Sequence, residues 1–151
     1  DAIYLAGLFD GEGCVQFKYK YRKRKRRSST YAWNNELICR LQLEGLHKWS
    51  KCPFEQVKFL RDEHRHIFWF ECEKVVHHDD RDVEFIMFKR EITKYLVDKY
   101  DDGECLKFDN MSCEMIAKEL VEKYDLERCS VFEDNENGAV VYAEKKEKES
   151  T

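Results

Sequence analysis

The stretch LAGLFDGEG, residues 5–13, decides how the N-terminal part of the chain is expected to fold. From Ile3 to Phe9 the residues are apolar almost without a break, and a helix that is apolar nearly all round must be buried on several sides. Two glycines follow directly, where a helix is expected to stop. The stretch therefore predicts a buried first helix, which ends in a turn that carries the acids Asp10 and Glu12.

An amphipathic hairpin is predicted immediately after this turn. Cys14–Arg22 alternates apolar and polar residues with the period of two that is typical of a half-buried strand, and Tyr31–Leu43 is predicted as the returning strand. The basic loop Lys23–Arg27 lies in the connection between them. On the returning strand the alternation predicts that Leu37, Cys39, Leu41 and Leu43 face inward and that Glu36, Arg40 and Gln42 face outward.

The rest of the chain is interpreted from periodicity and from residues that stop helices. We expect a short helix at Leu46–Trp49, ended by Pro53, and then a second hairpin of strands Val57–Arg61 and His66–Glu73. The later predicted elements are helix Asp82–Tyr100, helix Met115–Leu126 with Ser112 or Asn110 as its cap, a hairpin of Cys129–Phe132 and Ala139–Tyr142, and a frayed tail at 145–151. The sequence His77-His78-Asp79-Asp80 is interpreted as a solvated turn rather than a metal site, because adjacent residues point to different sides of a regular element.

The nine residues LAGLFDGEG closely resemble the signature for which the LAGLIDADG family is named, with Phe9, Gly11 and Glu12 at substituted positions. The resemblance implies an α+β fold class: an αββαββα half with a four-stranded antiparallel saddle sheet, plus a C-terminal helix and hairpin. Residues 1–103 would form the homing-endonuclease-like domain. Residues 104–151, with their helix, hairpin and charged tail, would extend the same domain.

The resemblance also implies a function, that of a homing-type endonuclease, which hydrolyses phosphodiester bonds of both strands of a specific DNA sequence with Mg²⁺ as cofactor. Glu12 matches the metal-binding catalytic acid of the family, and Asp10 matches the acid that ends and supports the first helix. Two such carboxylates side by side would repel each other unless cations neutralise them. Hard oxygen ligands of this kind select Mg²⁺.

A homodimer is predicted because the chain holds one signature, whereas cutting both strands of a duplex needs two acids. Two small residues, Ala6 and Gly7, would let a second copy of the first helix approach closely. The residues predicted at this dimer interface are Leu5, Ala6, Gly7 and Phe9.

The distribution of charge favours a polyanionic partner at the N-terminal half. Residues 1–75 hold 15 lysines and arginines against 10 acids, whereas residues 76–151 hold 12 against 21. We expect double-stranded DNA as the partner, bound by Gln16, Lys18, Lys20, Arg22, Lys23, Arg24, Lys25, Arg26, Arg27, Arg40 and Gln42. Further candidates for base contacts are Glu36 and one parity of the second hairpin, such as Lys58, His66 or Glu71.

Two other functions stay open at this point. One is a catalytically inactive module that binds structured RNA, either intron maturase-like or a ribosome-associated structural protein, and the less favoured one is a DNA-binding regulator. The acid Glu12 favours the enzyme. The RNA-binding module is favoured by the acidic C-terminal half and by the absence of a clear match to the family's basic active-site motif, for which Lys89, Lys94 and Lys99 are only candidates.

Composition excludes several classes of protein. No apolar run approaches the roughly 20 residues that span a bilayer, and the first residues lack a signal-peptide pattern. We therefore expect no membrane association and an intracellular protein, in an organelle matrix (mitochondrion or chloroplast) or the cytoplasm, and not a secreted one. Seven cysteines without a CxxC pair predict reduced thiols rather than a cysteine-based zinc module.

Overall fold

A computed structural model describes residues 35–144 of the chain. They form an α+β fold of one mixed sheet, two α-helices and a 3-10 helix, so the α+β class is confirmed. In chain order the elements are β1 (Asn35–His47), the 3-10 helix (Glu55–Arg61), β2 (His64–Val76), α1 (Phe85–Tyr100), β3 (Leu106–Asp109), α2 (Cys113–Tyr124), β4 (Arg128–Glu133) and β5 (Asn137–Tyr142).

The sheet has the strand order β3-β1-β2-β4-β5 and does not close into a barrel. The pairs β1 with β2, β2 with β4 and β4 with β5 are antiparallel, and β3 runs parallel to β1 at the edge. Strands β1 and β2 pair without interruption from Asn35 opposite Val76 to His47 opposite His64. Three strand ends therefore meet at one end of the sheet: the last residues of β1 and β4 and the first residues of β2.

The two faces of the sheet follow from the period-two pattern of its strands. On β1, Leu37, Cys39 and Leu41 are buried and Arg40 and Gln42 are exposed, as predicted. Both α-helices cover the face that carries the buried residues, which we call the inner face. Its core includes Phe68, Phe70 and Val131 from the sheet, Phe88, Ile92 and Leu96 from α1, and Ile116, Ala117 and Leu120 from α2. The opposite side, the outer face, is not covered by a helix of the described residues.

Four predicted elements are confirmed with small shifts of their ends: strand β2, both α-helices and the terminal hairpin β4–β5. Ser112 caps α2 as predicted, because its hydroxyl accepts a hydrogen bond from the Met115 backbone N–H at 3.3 Å. The terminal hairpin is not an appendage, since β4 pairs with β2 and continues the central sheet. Residues 104–144 thus supply three of the five described strands.

The predicted second hairpin is wrong. Val57–Arg61 belongs to a 3-10 helix rather than a strand, and Phe59 on it is exposed. Strand β2 already has β1 on one edge and β4 on the other, so no edge of β2 is left for a strand at 57–61. The four-stranded antiparallel saddle expected from that hairpin is replaced, in residues 35–144, by a mixed five-stranded sheet.

Two further features differ from expectation near the end of β1. The short helix predicted at Leu46–Trp49 is wrong, because Leu46 and His47 extend β1 and pair with β2. Strand β3 is not predicted from the sequence, and it pairs with the last three residues of β1, Gly45–His47. Gly45 makes this packing possible, since a Cβ atom there would lie 3.0 Å from the Phe108 ring and 3.1 Å from the Phe68 ring.

Within residues 35–144, no helix is both long and apolar enough to span a membrane.

Candidate functional site

Most of the residues predicted from the family resemblance lie outside residues 35–144, which the structure describes. This applies to the catalytic and metal-binding acids, to the dimer interface and to the basic segment. The residues concerned are Asp10 and Glu12; Leu5, Ala6, Gly7 and Phe9; and Gln16, Lys18, Lys20, Arg22, Lys23, Arg24, Lys25, Arg26 and Arg27. The predicted tail at 145–151 also lies outside the described residues.

Two predicted nucleic-acid-binding residues, Arg40 and Gln42, lie exposed on the outer face. Arg40 is not free, because its guanidinium donates to the Glu71 carboxylate at 2.6 Å. Glu71 in turn accepts from Arg128 at 2.9 Å. The outer face therefore presents Arg40 as half of an ion pair, and its positive charge is partly neutralised before any partner binds.

The same ion-pair network extends across three strands. Arg128 on β4 contacts both Glu71 and Glu73 on β2, the latter at 2.5 Å. Residues 35–144 as a whole hold 16 lysines and arginines against 26 acids, a net charge of −10. Such a surface repels a polyanion. Electrostatic attraction to nucleic acid is thus expected from the basic segment at 18–27 rather than from this sheet.

Aromatic side chains also lie on the outer face. Trp69 and Phe132 face each other across β2 and β4, with Trp69 37% exposed, and Tyr142 on β5 is 64% exposed. Planar side chains on an open sheet are the kind of surface on which unpaired bases can stack. Sequence reasoning did not single out these three residues.

The most concentrated group of functional side chains is a histidine cluster, His47, His64 and His66, at the end of the inner face where β1 ends and β2 begins. One ring nitrogen from each histidine lies within 4.8 Å of the corresponding nitrogens of the other two. His47 lies opposite His64 in the β1–β2 register, and His66 lies two residues further along the same face of β2. His47 is buried, and the other two rings are partly buried.

Each histidine uses its Nδ1 atom to donate to an oxygen. His47 donates to the backbone carbonyl of Met111 at 3.2 Å, His64 to that of Asp62 at 2.8 Å, and His66 to the Asp134 carboxylate at 2.6 Å. Asp134 is itself held by the Ile67 backbone N–H, which donates to it at 2.9 Å. These partners fix all three rings in orientation, with Nδ1 facing outward from the cluster.

The three Nε2 atoms are buried and lack a hydrogen-bond partner of acceptable geometry. The carboxylate of Glu133, the last residue of β4, lies against two of them: Oε1 is 3.2 Å from His47 Nε2, and Oε2 is 3.4 Å from His66 Nε2. The thiol of Cys113, at the start of α2, donates to Glu133 Oε1 at 3.5 Å. Glu133 is thus held over the cluster from the helix side.

Electrostatics within the cluster favour an added positive charge. Burial on its own lowers the pKa of His47, but Glu133 and the Met111 carbonyl more than offset it, so that the pKa lies above its usual value of 6.5. His47 holds the pKa of Glu133 below its usual value. Burial raises the pKa of the neighbouring Cys113 thiol to about 12, so Cys113 is a neutral hydrogen-bond donor here rather than a thiolate.

Sequence reasoning missed this cluster. The sequence predicts His66 as a candidate for base contacts, but His66 lies on the inner face. Lys58, another such candidate, lies on the 3-10 helix rather than on a strand, whereas Glu71 does face outward. The spacing His64-Arg65-His66 on a strand was the available signal, because residues two apart share one face. The sequence His77-His78-Asp79-Asp80 forms an exposed turn, as predicted.

None of the six cysteines of the described residues lies in a disulfide, and five of the six are buried.

Compared with known proteins, the chain matches no protein-family model and none of the curated proteins at significant similarity.

Proposed function

We propose that the chain is a LAGLIDADG-type nucleic-acid-binding domain that acts, as a homodimer, as a Mg²⁺-dependent homing endonuclease. The observation that carries this proposal is the stretch LAGLFDGEG at residues 5–13, followed directly by a basic amphipathic segment. The α+β architecture of residues 35–144, with helices on one face of an open sheet, is compatible with it. Residues 35–144 lack the second hairpin of the family's αββαββα arrangement, so the proposal keeps only the predicted first helix and first hairpin of that arrangement.

In this proposal the two acids of the signature have separate roles. Glu12 from each subunit binds the metal, and Asp10 satisfies the end of the first helix. Mg²⁺ bound by carboxylates supplies a water nucleophile and stabilises the leaving oxygen of the phosphodiester. Small residues at Ala6 and Gly7 bring the two helices, and hence the two acids, close together.

Binding in this proposal has two unequal contributions. The eight lysines and arginines at 18–27 supply phosphate contacts, which give affinity for any sequence. Arg40 and Gln42 on the outer face supply contacts to bases. Because Arg40 pairs with Glu71, it must exchange that partner for a base, and its net contribution to affinity is correspondingly small.

A specific observation favours a second candidate, the RNA-binding module without catalysis. The outer face carries three partly exposed aromatic side chains, Trp69, Phe132 and Tyr142, and few unpaired cations. Stacking of unpaired bases uses aromatic rings and needs little positive charge at the stacking site, whereas reading a duplex groove uses unpaired polar side chains. The same residues would then bind loops of a structured RNA.

The deciding experiment incubates the purified chain with a randomised double-stranded DNA library in Mg²⁺ and compares Glu12→Gln with the parent. Glu12→Gln keeps the size of the side chain but removes the charge that binds the metal. Because one metal ligand is lost, we expect the rate of cleavage to fall by roughly two orders of magnitude or more. Binding in Ca²⁺ should stay within about twofold of the parent. The matched control is Glu63→Gln, which changes an exposed acid and should leave cleavage unchanged.

The endonuclease proposal is wrong if the parent cuts no member of the library in Mg²⁺. If the parent then binds structured RNA, and Trp69→Ala or Tyr142→Ala weakens that binding while Glu12→Gln does not, the RNA-binding module takes its place. A protein that neither cuts DNA nor binds RNA contradicts both candidates.

A further inference from the structure

We propose that the histidine cluster and Glu133 form a zinc site, in which Nε2 atoms of His47, His64 and His66 and a carboxylate oxygen of Glu133 bind one Zn²⁺ ion. The site lies on the inner face at one end of the sheet, and none of its residues is a predicted catalytic acid or a residue of the outer face. It is therefore independent of the proposed endonuclease function and stands or falls separately from it.

The first argument is the orientation of the rings. Each Nδ1 faces an oxygen that can only accept, namely two backbone carbonyls and the Asp134 carboxylate, so each Nδ1 carries the proton. In a neutral imidazole the Nε2 atom then presents a lone pair. Three such lone pairs are buried and without donors, the three histidines lie within reach of one ion, and the Glu133 carboxylate lies against two of the three Nε2 atoms. A cation at that point satisfies all four groups at once.

The second argument is the spacing of the ligand atoms. In a tetrahedral site with metal–ligand bonds near 2.0 to 2.1 Å, neighbouring ligand atoms lie about 3.3 Å apart. Glu133 Oε1 is 3.2 Å from His47 Nε2, and Glu133 Oε2 is 3.4 Å from His66 Nε2. One ring nitrogen from each histidine lies within 4.8 Å of those of the other two, so the tetrahedron is completed when the rings close together and one Glu133 oxygen turns toward the ion.

The third argument is the support around the ligands. Metal-binding histidines usually donate their second ring nitrogen to a carbonyl or a carboxylate, which fixes the tautomer and makes the ligand nitrogen more basic. All three histidines do so here, and Asp134 is fixed in turn by the Ile67 backbone. The fourth ligand, Glu133, is oriented by the Cys113 thiol. The cluster thus has, besides its candidate ligand atoms, surrounding hydrogen bonds that hold those ligands in place.

The donor set identifies the metal. Three imidazoles and one carboxylate suit a borderline ion such as Zn²⁺ and are poor for Mg²⁺ or Ca²⁺, which prefer oxygen ligands. The four protein ligands fill the tetrahedron and leave no open position, which is typical of a structural rather than a catalytic zinc. Bound there, the ion links the end of β1, the start of β2 and the end of β4.

The competing explanation needs no metal. Protonated His47 and His66 would form ion pairs with Glu133, and the pKa of His47 lies above its usual value in keeping with that pairing. This explanation gives His64 no role, since its Nε2 atom is buried and neither Glu133 nor any other acceptor is bonded to it. The two explanations predict different metal contents.

The experiment measures zinc in the full chain after exposure to Zn²⁺ and removal of the excess. We expect about one Zn²⁺ per chain, as for a structural site, and a loss of at least tenfold in His64→Ala and in His66→Ala. The chain offers a matched control in its two remaining histidines: the double variant His77→Ala, His78→Ala changes exposed positions and should keep the full zinc content. Circular dichroism of each variant verifies folding.

A measurement on the parent alone keeps the proposal testable if the histidine variants fail to fold. Co²⁺ in place of Zn²⁺ should give the visible absorption of a tetrahedral site without the intense near-ultraviolet band of cobalt–thiolate bonds. Removal of zinc by a chelator should lower the melting temperature of the parent. The proposal is overturned by a parent that keeps no zinc, by a zinc content that falls in the control and not in His64→Ala, or by a cobalt spectrum that shows thiolate ligands.

Discussion

The two faces of the sheet are built from alternate residues of the same strands, yet they are held by different interactions. Adjacent residues on β2 illustrate the contrast: the Phe68 side chain is fully buried against the helices, whereas Trp69 is 37% exposed on the outer face. The inner face is stabilised by the burial of apolar surface. This burial contributes a large share of the folding free energy and does not depend on an exact orientation of the side chains. The outer face is organised by ion pairs, which contribute little where they are exposed to water.

The histidine cluster is the exception on the inner face. Its polar side chains lie beyond Phe68, at the end of the sheet where the apolar core stops. A buried polar group without a partner costs free energy, so its presence there calls for a specific ligand. The polar side chains best placed to bind a ligand therefore lie on the apolar side of this sheet.

The largest expected effect tests the contrast directly on two neighbouring residues. Phe68→Ala removes a fully buried ring and should lower the free energy of unfolding by roughly 3–5 kcal/mol, because it leaves a cavity among residues that cannot fully collapse. Trp69→Ala removes a larger ring from the outer face and should lower it by about 1 kcal/mol or less. Urea unfolding followed by circular dichroism measures both. Equal losses for the two variants would contradict the assignment of the faces.

A second prediction separates buried from exposed ion pairs within the outer face. Arg128 is 16% exposed, and Arg128→Ala would leave Glu73, which is 9% exposed, without its partner; we expect a loss of about 2 kcal/mol in the free energy of unfolding. Arg40→Ala removes a guanidinium that is 46% exposed and should change it by about 0.5 kcal/mol or less. The same urea titration measures both variants. A larger effect for Arg40 than for Arg128 would show that exposure does not decide the strength of these pairs.

The elements that sequence reasoning predicted correctly are those whose pattern is local. The inward and outward residues of β1 follow from strict alternation, and α1 and α2 follow from apolar residues at helical spacing with a capping serine before α2. The terminal hairpin follows from two short apolar runs across a polar turn. In each case the local preference and the tertiary environment agree, so the sequence pattern alone is sufficient.

The elements that the sequence pattern does not predict depend on which strands pair at each edge of the sheet. Val57–Arg61 has an alternating, strand-like composition, but the edge of β2 that it would need is occupied by β4, whose residues are 55 to 65 positions away in sequence from their partners on β2. The histidine cluster combines residues from β1 and β2, with Glu133 of β4 beside them, and only the strand register brings these residues together. Long-range pairing of this kind cannot be deduced from the periodicity of one segment.

The smallest predicted effect concerns the polar link between the two helices that cover the inner face. Glu119 on α2 accepts hydrogen bonds from Tyr95, Tyr100 and Lys99 of α1, each at 2.7 Å. Burial on its own raises the pKa of Glu119, but these three donors more than offset it, and the pKa lies below its usual value of 4.5. A carboxylate with a lowered pKa stabilises the fold at pH values above the unfolded-state pKa, and this contribution is lost as the pH falls through the folded-state pKa.

Glu119→Gln should therefore lower the free energy of unfolding by about 1 kcal/mol at neutral pH, because it replaces a charged acceptor of three hydrogen bonds by a neutral one. The difference between parent and variant should shrink as the pH falls below 4.5 and through the lower pKa that Glu119 has in the folded chain. Melting curves at a series of pH values measure this difference. The control is Glu122→Gln on the same helix, whose carboxylate is 68% exposed and lies 3.8 Å from Lys118, and which should have little effect at any pH. If the Glu119→Gln difference stayed constant from neutral to acidic pH, or Glu122→Gln behaved in the same way, the link between the helices would owe its strength to packing rather than to the charge of Glu119.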